Sequence, residues 1–300
     1  IMRDEYFLSA QKAALAASVA STELKLLTKM DRNSCSLYVS VPFCPSRCAY
    51  CSFVSYTSPK LLSLMDEYLV QVCDDIDRTF AVIRKLGFSV STVYIGGGTP
   101  TMLSAMQLST LLSRVHGHLR PGESCEFSLE AGRPDTITAE KLRIAKEYGV
   151  TRVSVNPQTL SDEVLREIGR RHTVEDFYRA YALAKESGIR DINVDLIAGL
   201  PGDDFRNFSE TVDRVIELAP SNITVHTFCV KKASDVLKNN SGVYSLNGGD
   251  AAKSVEYSQL KTKFAGYRPY YMYRQKNTVG NLENVGYSVE GHEGLYNIYM

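Results

Sequence analysis

The 300-residue chain has no tryptophan, no net charge and no long apolar run. Lys and Arg together number 34, as do Asp and Glu, which excludes the basic excess that a general nucleic-acid or membrane-surface binder carries. An anionic substrate would have to be met by a few placed cations. Without a run of about eighteen apolar residues, no membrane-spanning helix is predicted, and a cytoplasmic monomer is expected. Regularly spaced cysteine pairs are also missing: the seven cysteines are an odd count, which argues against a secreted disulfide framework. The chain opens on Ile1 instead of Met and is expected to be a fragment whose upstream sequence, any targeting peptide included, lies outside it.

What is present is ample core, 44% hydrophobic residues, arranged in a repeating order. Residues 5–30 carry Phe7, Leu8, Leu15, Val19 and Leu26 at helical spacing, so residues 1–33 are read as a helical linker. From there, β-branched runs at Leu37–Val41, Thr92–Ile95, Glu126–Glu130, Arg152–Val155, Ile192–Ile197 and Ile223–Phe228 alternate with helical patterns. These lie near 60–86, 104–119, 138–148, 174–187 and 204–218, with one more after Gly249. Thr138 and Asp203-Asp204 have the character of helix starts. Strict alternation predicts an α/β fold with a parallel sheet, and six units are too few for a full eight-fold barrel. A partial six-unit (βα) barrel over 34–266 is therefore expected, with chemistry at the carboxyl ends of its strands. Past residue 267 the pattern changes, and 267–300 is read as the severed start of an accessory domain.

Three cysteines stand apart from the rest. Cys44-x-x-x-Cys48-x-x-Cys51 follows the first predicted strand, with Pro42 and Pro45 stiffening the loop. At this cysteine frequency such a triple arises by chance roughly 0.004 times per chain, so it is read as a ligand set. Three thiolates on one loop can hold three irons of a cubane cluster and leave the fourth open. The competing reading is a structural zinc with a remote fourth ligand; no His lies near the triple. Cys35, Cys73, Cys125 and Cys229 are read as small buried hydrophobes. The consecutive glycines of Tyr94-Ile95-Gly96-Gly97-Gly98-Thr99-Pro100-Thr101 let backbone approach a ligand closely. Asp195 is an acid inside an apolar run and needs a partner there, either an ion pair or a ligand.

With these motifs in hand, Cys44-Pro-Ser-Arg-Cys48-Ala-Tyr50-Cys51 after Leu37-Tyr38-Val-Ser-Val-Pro-Phe43 resembles the cluster loop of radical S-adenosylmethionine enzymes. More narrowly, residues 36–290 resemble the oxygen-independent coproporphyrinogen III oxidase (coproporphyrinogen dehydrogenase) family, and within it the HemZ branch. The resemblance implies a six-unit barrel of TIM type with a 4Fe–4S cluster at its mouth, whose open iron chelates the methionine part of S-adenosyl-L-methionine. It implies that Cys44, Cys48 and Cys51 are the metal ligands. It further implies that Gly97, Gly98 and Thr99 contact the methionyl amino group, and that Glu130 contacts the cofactor. Gln158 and Arg170 would hydrogen-bond its ribose and carboxylate, a task suited to the planar fork of arginine. Asp195 would bind the ribose, with Tyr38 and the backbone around Tyr50 completing the site.

The family reading brings further expectations. The reaction would be oxidative decarboxylation of coproporphyrinogen III to protoporphyrinogen IX in haem biosynthesis, through a 5′-deoxyadenosyl radical. An electron donor such as flavodoxin or ferredoxin is implied. Arg47, Arg133 and Arg274 are candidate partners for the propionates of a tetrapyrrole, whereas His172 and His226 are read as core or surface residues. The chain departs from the well-studied oxidases in having Phe53 where they carry a fourth cysteine. Lacking Trp, it lacks the post-barrel His-Asn…Tyr-Trp motif of the related haem chaperones. It has instead Arg274-Gln-Lys-Asn277…Asn281-Leu-Glu-Asn284-Val-Gly-Tyr287, associated with the HemZ branch. Two other readings stand beside the oxidase: a haem carrier built on the same barrel, and a radical enzyme with another substrate. RNA as that substrate is disfavoured by the neutral charge.

Overall fold

Each β-branched run is followed by an amphipathic helix that returns the chain to the start of the next strand, so successive strands can only pair parallel. The structure, a computed structural model, describes residues 1–51, 55–120, 124–229 and 248–300; Phe53 lies outside the described residues. The parallel strands are β1 (Ser34–Val41), β2 (Ser89–Gly97), β3 (Glu126–Glu130), β4 (Arg152–Ser154), β5 (Asp191–Ala198) and β6 (Asn222–Thr227). The helices between them are α2 (Pro59–Leu62), α3 (Met65–Lys85), α4 (Ala105–His116), α5 (Ala139–Glu147), α6 (Asp162–Glu167), α7 (Val174–Glu186) and α8 (Phe205–Glu217). Preceding them all is α1 (Ala10–Leu27), which buries Leu15 and Val19. Helix starts follow their caps: the Thr138 hydroxyl accepts from Lys141 N and the Asp204 carboxylate from Asn207 N, as the sequence predicted.

Residues 268–288, expected to open an accessory domain, add two antiparallel strands to this same sheet. After α9 (Gly248–Phe264), β7 (Arg268–Tyr273) and β8 (Asn284–Ser288) form a hairpin whose β8 pairs with β6. Among the described residues the strands make one curled, eight-stranded half barrel in the order β1-β2-β3-β4-β5-β6-β8-β7. The six-unit barrel is thus extended along its β6 edge, and α1 packs on the outermost strand, β7.

The sheet's two faces differ in chemistry. Val93, Ile95, Phe127, Leu129, Val153, Val194, Leu196, Ile223 and Val225 point outward into the helices and form the main core, each contributing about 1.5–3 kcal/mol of burial. The alternate positions face inward and are largely polar or aromatic: Tyr38 beside Tyr94, then Ser128, Glu130, Ser154, Asn193, Asp195, Thr224 and His226. Asp195 is thus one member of a polar inner face and not an isolated acid in an apolar strand.

At the amino ends of the strands the half barrel is plugged by the chain's last residues. Leu295 N and Tyr296 N, at the start of α10 (Leu295–Tyr299), donate to the Glu126 carboxylate at 2.9 and 3.0 Å. Buried Arg152 sits above them. Its guanidinium reaches Asp191 (3.3 Å), Glu126 (3.5 Å), the Asn222 side chain and the carbonyls of His292 (2.9 Å) and Glu293 (3.2 Å). Removing this cation leaves two buried carboxylates without their arginine, Glu126 keeping two backbone N–H groups and Asp191 the His292 ring. Arg152→Leu is therefore expected to destabilise the fold by about 3–5 kcal/mol in chemical denaturation. A loss below about 1 kcal/mol would mean that the network is not the plug's main tie.

Candidate active site

The cysteine loop leaves β1 and is pinned from three sides. Gly98 N donates to Val41 O (2.8 Å) and Thr99 N to Phe43 O (2.8 Å), tying the end of β2 beneath the loop. A side chain at Gly98 would place its Cβ 2.7 Å from Phe43 O and 2.9 Å from Cys44 Sγ, so only glycine lets the two segments meet. Gly97 before it takes φ +106°, again a glycine conformation. From the second side, Ala49 N donates to Ile168 O (3.0 Å) and Ser46 Oγ to Gly169 O (3.3 Å). From the third comes Arg133.

Arg133 corrects an expectation. Read as a propionate partner, it is 3% exposed, and its nitrogens are committed within the protein. Nη1 points at Cys48 Sγ (3.5 Å), Nη2 donates to Ser46 Oγ (3.1 Å) and Nε pairs with Asp135 (3.2 Å). It backs the cysteine loop and is closed to a substrate. Arg47 and Arg274 are exposed, one on the cysteine loop and the other just past β7.

The three thiols lie at the rim of the inner face, Cys44 and Cys48 8% exposed and Cys51 half-buried. The Cys44 thiol is pushed up by burial; its hydrogen bond with Thr99 Oγ1 (3.3 Å) works the other way, and the neighbouring Cys51 and Cys48 push it further up. A single zinc draws its thiolates to about 2.3 Å from one point. Among the described residues no three Cys, His, Asp or Glu side chains are gathered that tightly. The fit to a cluster rests on the donor set: three thiols on one loop that carries no histidine are what three irons of a cubane group take. Of the other cysteines, Cys73 and Cys229 are buried and Cys35 and Cys125 half-buried.

The remaining predicted residues surround the inner face below this loop. Gln158 takes φ +73°, a strained conformation for a side-chain-bearing residue, and its buried Oε1 has no hydrogen-bond partner. That orphaned acceptor fits a ligand hydroxyl. Arg170 donates through Nη1 to Gly132 O (3.3 Å) and Asn156 O (2.6 Å), while Nε and Nη2 both donate to the Tyr50 hydroxyl (3.2 and 3.1 Å). Tyr50 thus occupies the fork that a carboxylate would take bidentately, and the Tyr50 side chain joins the site as well as its backbone. Tyr38 stacks on Tyr94 (centroids 5.8 Å, planes 9° apart) and is 45% exposed to the lumen.

Two carboxyls of the inner face, Glu130 on β3 and Asp195 on β5, have opposite tendencies. Glu130 is raised to about 8 by burial first and then by Asp195, against a hydrogen bond from Tyr94. For Asp195, burial pushes up, but His226, Asn193 and Thr224 outweigh it and hold the group below the usual carboxylate range. Asn193 Nδ2 donates to Asp195 Oδ1 (2.7 Å), and His226 Nε2 lies 3.7 Å from Asp195 Oδ2. His172 is buried with neither ring nitrogen bonded, and burial together with Arg170 lowers it to about 3, so it is neutral. The sequence reading missed Asn156, Asn193 and Tyr94 and set His226 aside, because only the register of the sheet shows which residues share its inner face.

Comparison with known proteins fits this geometry. The radical SAM superfamily profile matches residues 38–215. The chain is 36% identical to the oxygen-independent coproporphyrinogen-III oxidase-like protein HemZ of Bacillus subtilis, over all of this chain and 60% of that protein. It is also 36% identical to the haem chaperone HemW of the same organism, over 65% of this chain and 51% of that one. The chain therefore spans about half to three-fifths of these relatives' length. In fold it resembles the radical SAM enzyme coproporphyrinogen III oxidase (HemN) of Escherichia coli, with TM-score 0.66 at 24% identity, over 90% of this chain and 59% of that one. A cysteine loop seated on a glycine-rich strand end, above a polar half barrel, is thus accompanied by a family match over more than half the sequence: the chain belongs to the radical S-adenosylmethionine superfamily, whose members use a 4Fe–4S cluster and S-adenosyl-L-methionine.

Proposed function

We propose that this chain carries the radical site of a tetrapyrrole-modifying enzyme, with oxidative decarboxylation of coproporphyrinogen III as its reaction. One observation carries the reading: the likeness to the oxidase-like HemZ runs the whole length of the chain, including the β7–β8 extension, whereas the likeness to HemW covers 65% of it. When bound, the cluster and S-adenosyl-L-methionine supply a 5′-deoxyadenosyl radical. In the decarboxylation, each of the two propionates that become vinyl groups would lose a hydrogen atom to that radical, one electron to a one-electron acceptor, and carbon dioxide.

The protein's own residues bind and orient. Cys44, Cys48 and Cys51 hold the cluster, and Arg133 fixes their loop from behind. Arg170, its fork filled by the Tyr50 hydroxyl and its Nη1 by Gly132 O and Asn156 O, fixes Tyr50 of the cysteine loop instead of taking the methionyl carboxylate, while Gln158 and Asp195 take ribose hydroxyls. Gly97, Gly98 and Thr99 line the amino-group side with Glu130 near them. Arg47 and Arg274, both exposed, are the candidate partners of the propionates, and flavodoxin or ferredoxin is the expected one-electron donor. Haem carriage is the second reading, supported by the HemW likeness. Full-length protein, reconstituted without oxygen and given coproporphyrinogen III, cofactor and reductant, separates the two. Protoporphyrinogen formation supports the first; tight haem binding without decarboxylation overturns it.

Glu130 adds a pH dependence. Its folded value of about 8 lies above the ordinary 4.5, so the ligand-free site holds a proton at neutral pH. By linkage, the ligand-free fold binds more protons than the unfolded chain between those values and loses stability as pH rises across them. A cofactor amino N–H donating to Glu130 favours its ionised form, which is the better acceptor. Cofactor affinity is therefore expected to rise with pH up to about 8 and then level, and Glu130→Gln to flatten that rise. The same slope in wild type and variant would show that Glu130 does not face the cofactor.

A further inference from the structure

His226 is joined to more than Asp195. Its Nδ1 lies 3.1 Å from the hydroxyl of Tyr273, a residue of β7, so three strands contribute one chain of side chains, Tyr273–His226–Asp195. Tyr273 donating to Nδ1 leaves the imidazole proton on Nε2, the nitrogen that faces Asp195 Oδ2. Asn193 holds the other carboxylate oxygen from the same strand, and Asp195 N donates to Asn156 Oδ1 (3.2 Å). The ring of Tyr273 is itself stacked on Tyr271 (centroids 6.2 Å, planes 8° apart), whose hydroxyl reaches Thr224 Oγ1 at 3.4 Å. The imidazole is therefore braced from the β7–β8 extension and not from the six parallel strands. Its side chain is 26% exposed and that of Asp195 18%, so both border the open lumen.

We propose that His226, oriented by Tyr273, is a positioning residue that fixes the Asp195 carboxylate for the ribose hydroxyls of the cofactor, so that the β7–β8 hairpin tunes cofactor affinity. The proposal rests on the reading that Asp195 binds the ribose. Partners that orient a directly binding group change affinity by about 10–100-fold when removed from metal sites, and an effect at the low end of that range is expected here.

The test is equilibrium binding of S-adenosylhomocysteine and of its 2′,3′-dideoxy analogue to anaerobically reconstituted full-length protein. Wild type is compared with His226→Ala, His226→Gln, Tyr273→Phe and Asp195→Asn. S-adenosylhomocysteine affinity is expected to fall about tenfold in His226→Ala and less in Tyr273→Phe, and to recover in His226→Gln, whose amide N–H can face Asp195. Binding of the dideoxy analogue should not change in any of the three. A His226→Ala protein that loses both ligands equally, or neither, overturns the proposal. If Asp195→Asn discriminates between the ligands while His226→Ala does not, the ribose reading stands and only the role of His226 falls. If Asp195→Asn does not discriminate either, the ribose reading itself fails and takes the proposal with it.

Discussion

Cys48→Ala protein, reconstituted with iron and sulfide without oxygen, is expected to retain less than a tenth of the wild-type cluster while keeping its fold. Cys48 is buried beside Arg133 and Tyr50 but lies outside the main apolar core, so removing its sulfur leaves the packing of the helices on the sheet intact. Two thiolates then remain on a loop that needs three, and each lost iron–thiolate bond exposes the cluster to solvent and loss. Removing a mere second partner of a metal costs about 10–100-fold in affinity, and losing a ligand should cost more. Iron and sulfide content with thermal unfolding of the apo-protein checks both halves. A variant with full iron content would remove Cys48 from the ligand set, and one that failed to fold would make it a core residue.

Asp195→Ala is the second large effect. A carboxylate held ionised by His226 and Asn193 presents charge-assisted acceptors to a sugar diol, each such bond contributing about 1.5–3 kcal/mol. Losing one is roughly a tenfold to hundredfold fall in cofactor affinity. The cluster should be retained, because Asp195 lies on β5 and the cysteines on the loop after β1. Calorimetric titration of the reconstituted variant with S-adenosylhomocysteine, alongside its iron content, reads the two effects separately. Unchanged affinity would place the ribose elsewhere. Loss of the cluster together with affinity would make Asp195 part of the scaffold.

The parallel half of the fold was legible because it repeats. β3 was predicted at the bounds it has, Glu126–Glu130, and five helical patterns coincide with helices, since alternation of two periods leaves little freedom. β7 and β8 were not legible. Pro269 interrupts one, and Gly286 sits in the middle of the other, where a Cβ would lie 1.9 Å from the Tyr271 ring. A strand that makes room for a neighbour's ring reads in sequence as a loop. The cysteine triple needed only local spacing, so it could be found. Arg133 and His226 could not be assigned, because a sequence shows that a cation or an imidazole exists and not which way it points. Only the fold turns Arg133 toward Cys48 and His226 toward Asp195.

If these three cysteines and this inner face form a working radical S-adenosylmethionine site, the protein must cleave its cofactor. The most direct measurement is 5′-deoxyadenosine released from S-adenosyl-L-methionine by the anaerobically reconstituted, dithionite-reduced protein, beside the same preparation of Cys48→Ala. Wild type is expected to release 5′-deoxyadenosine and methionine in equal amounts, and the variant about a hundredfold less or none. Wild-type protein that holds iron yet leaves the cofactor intact, or a variant that cleaves it as well as wild type, would contradict such a site.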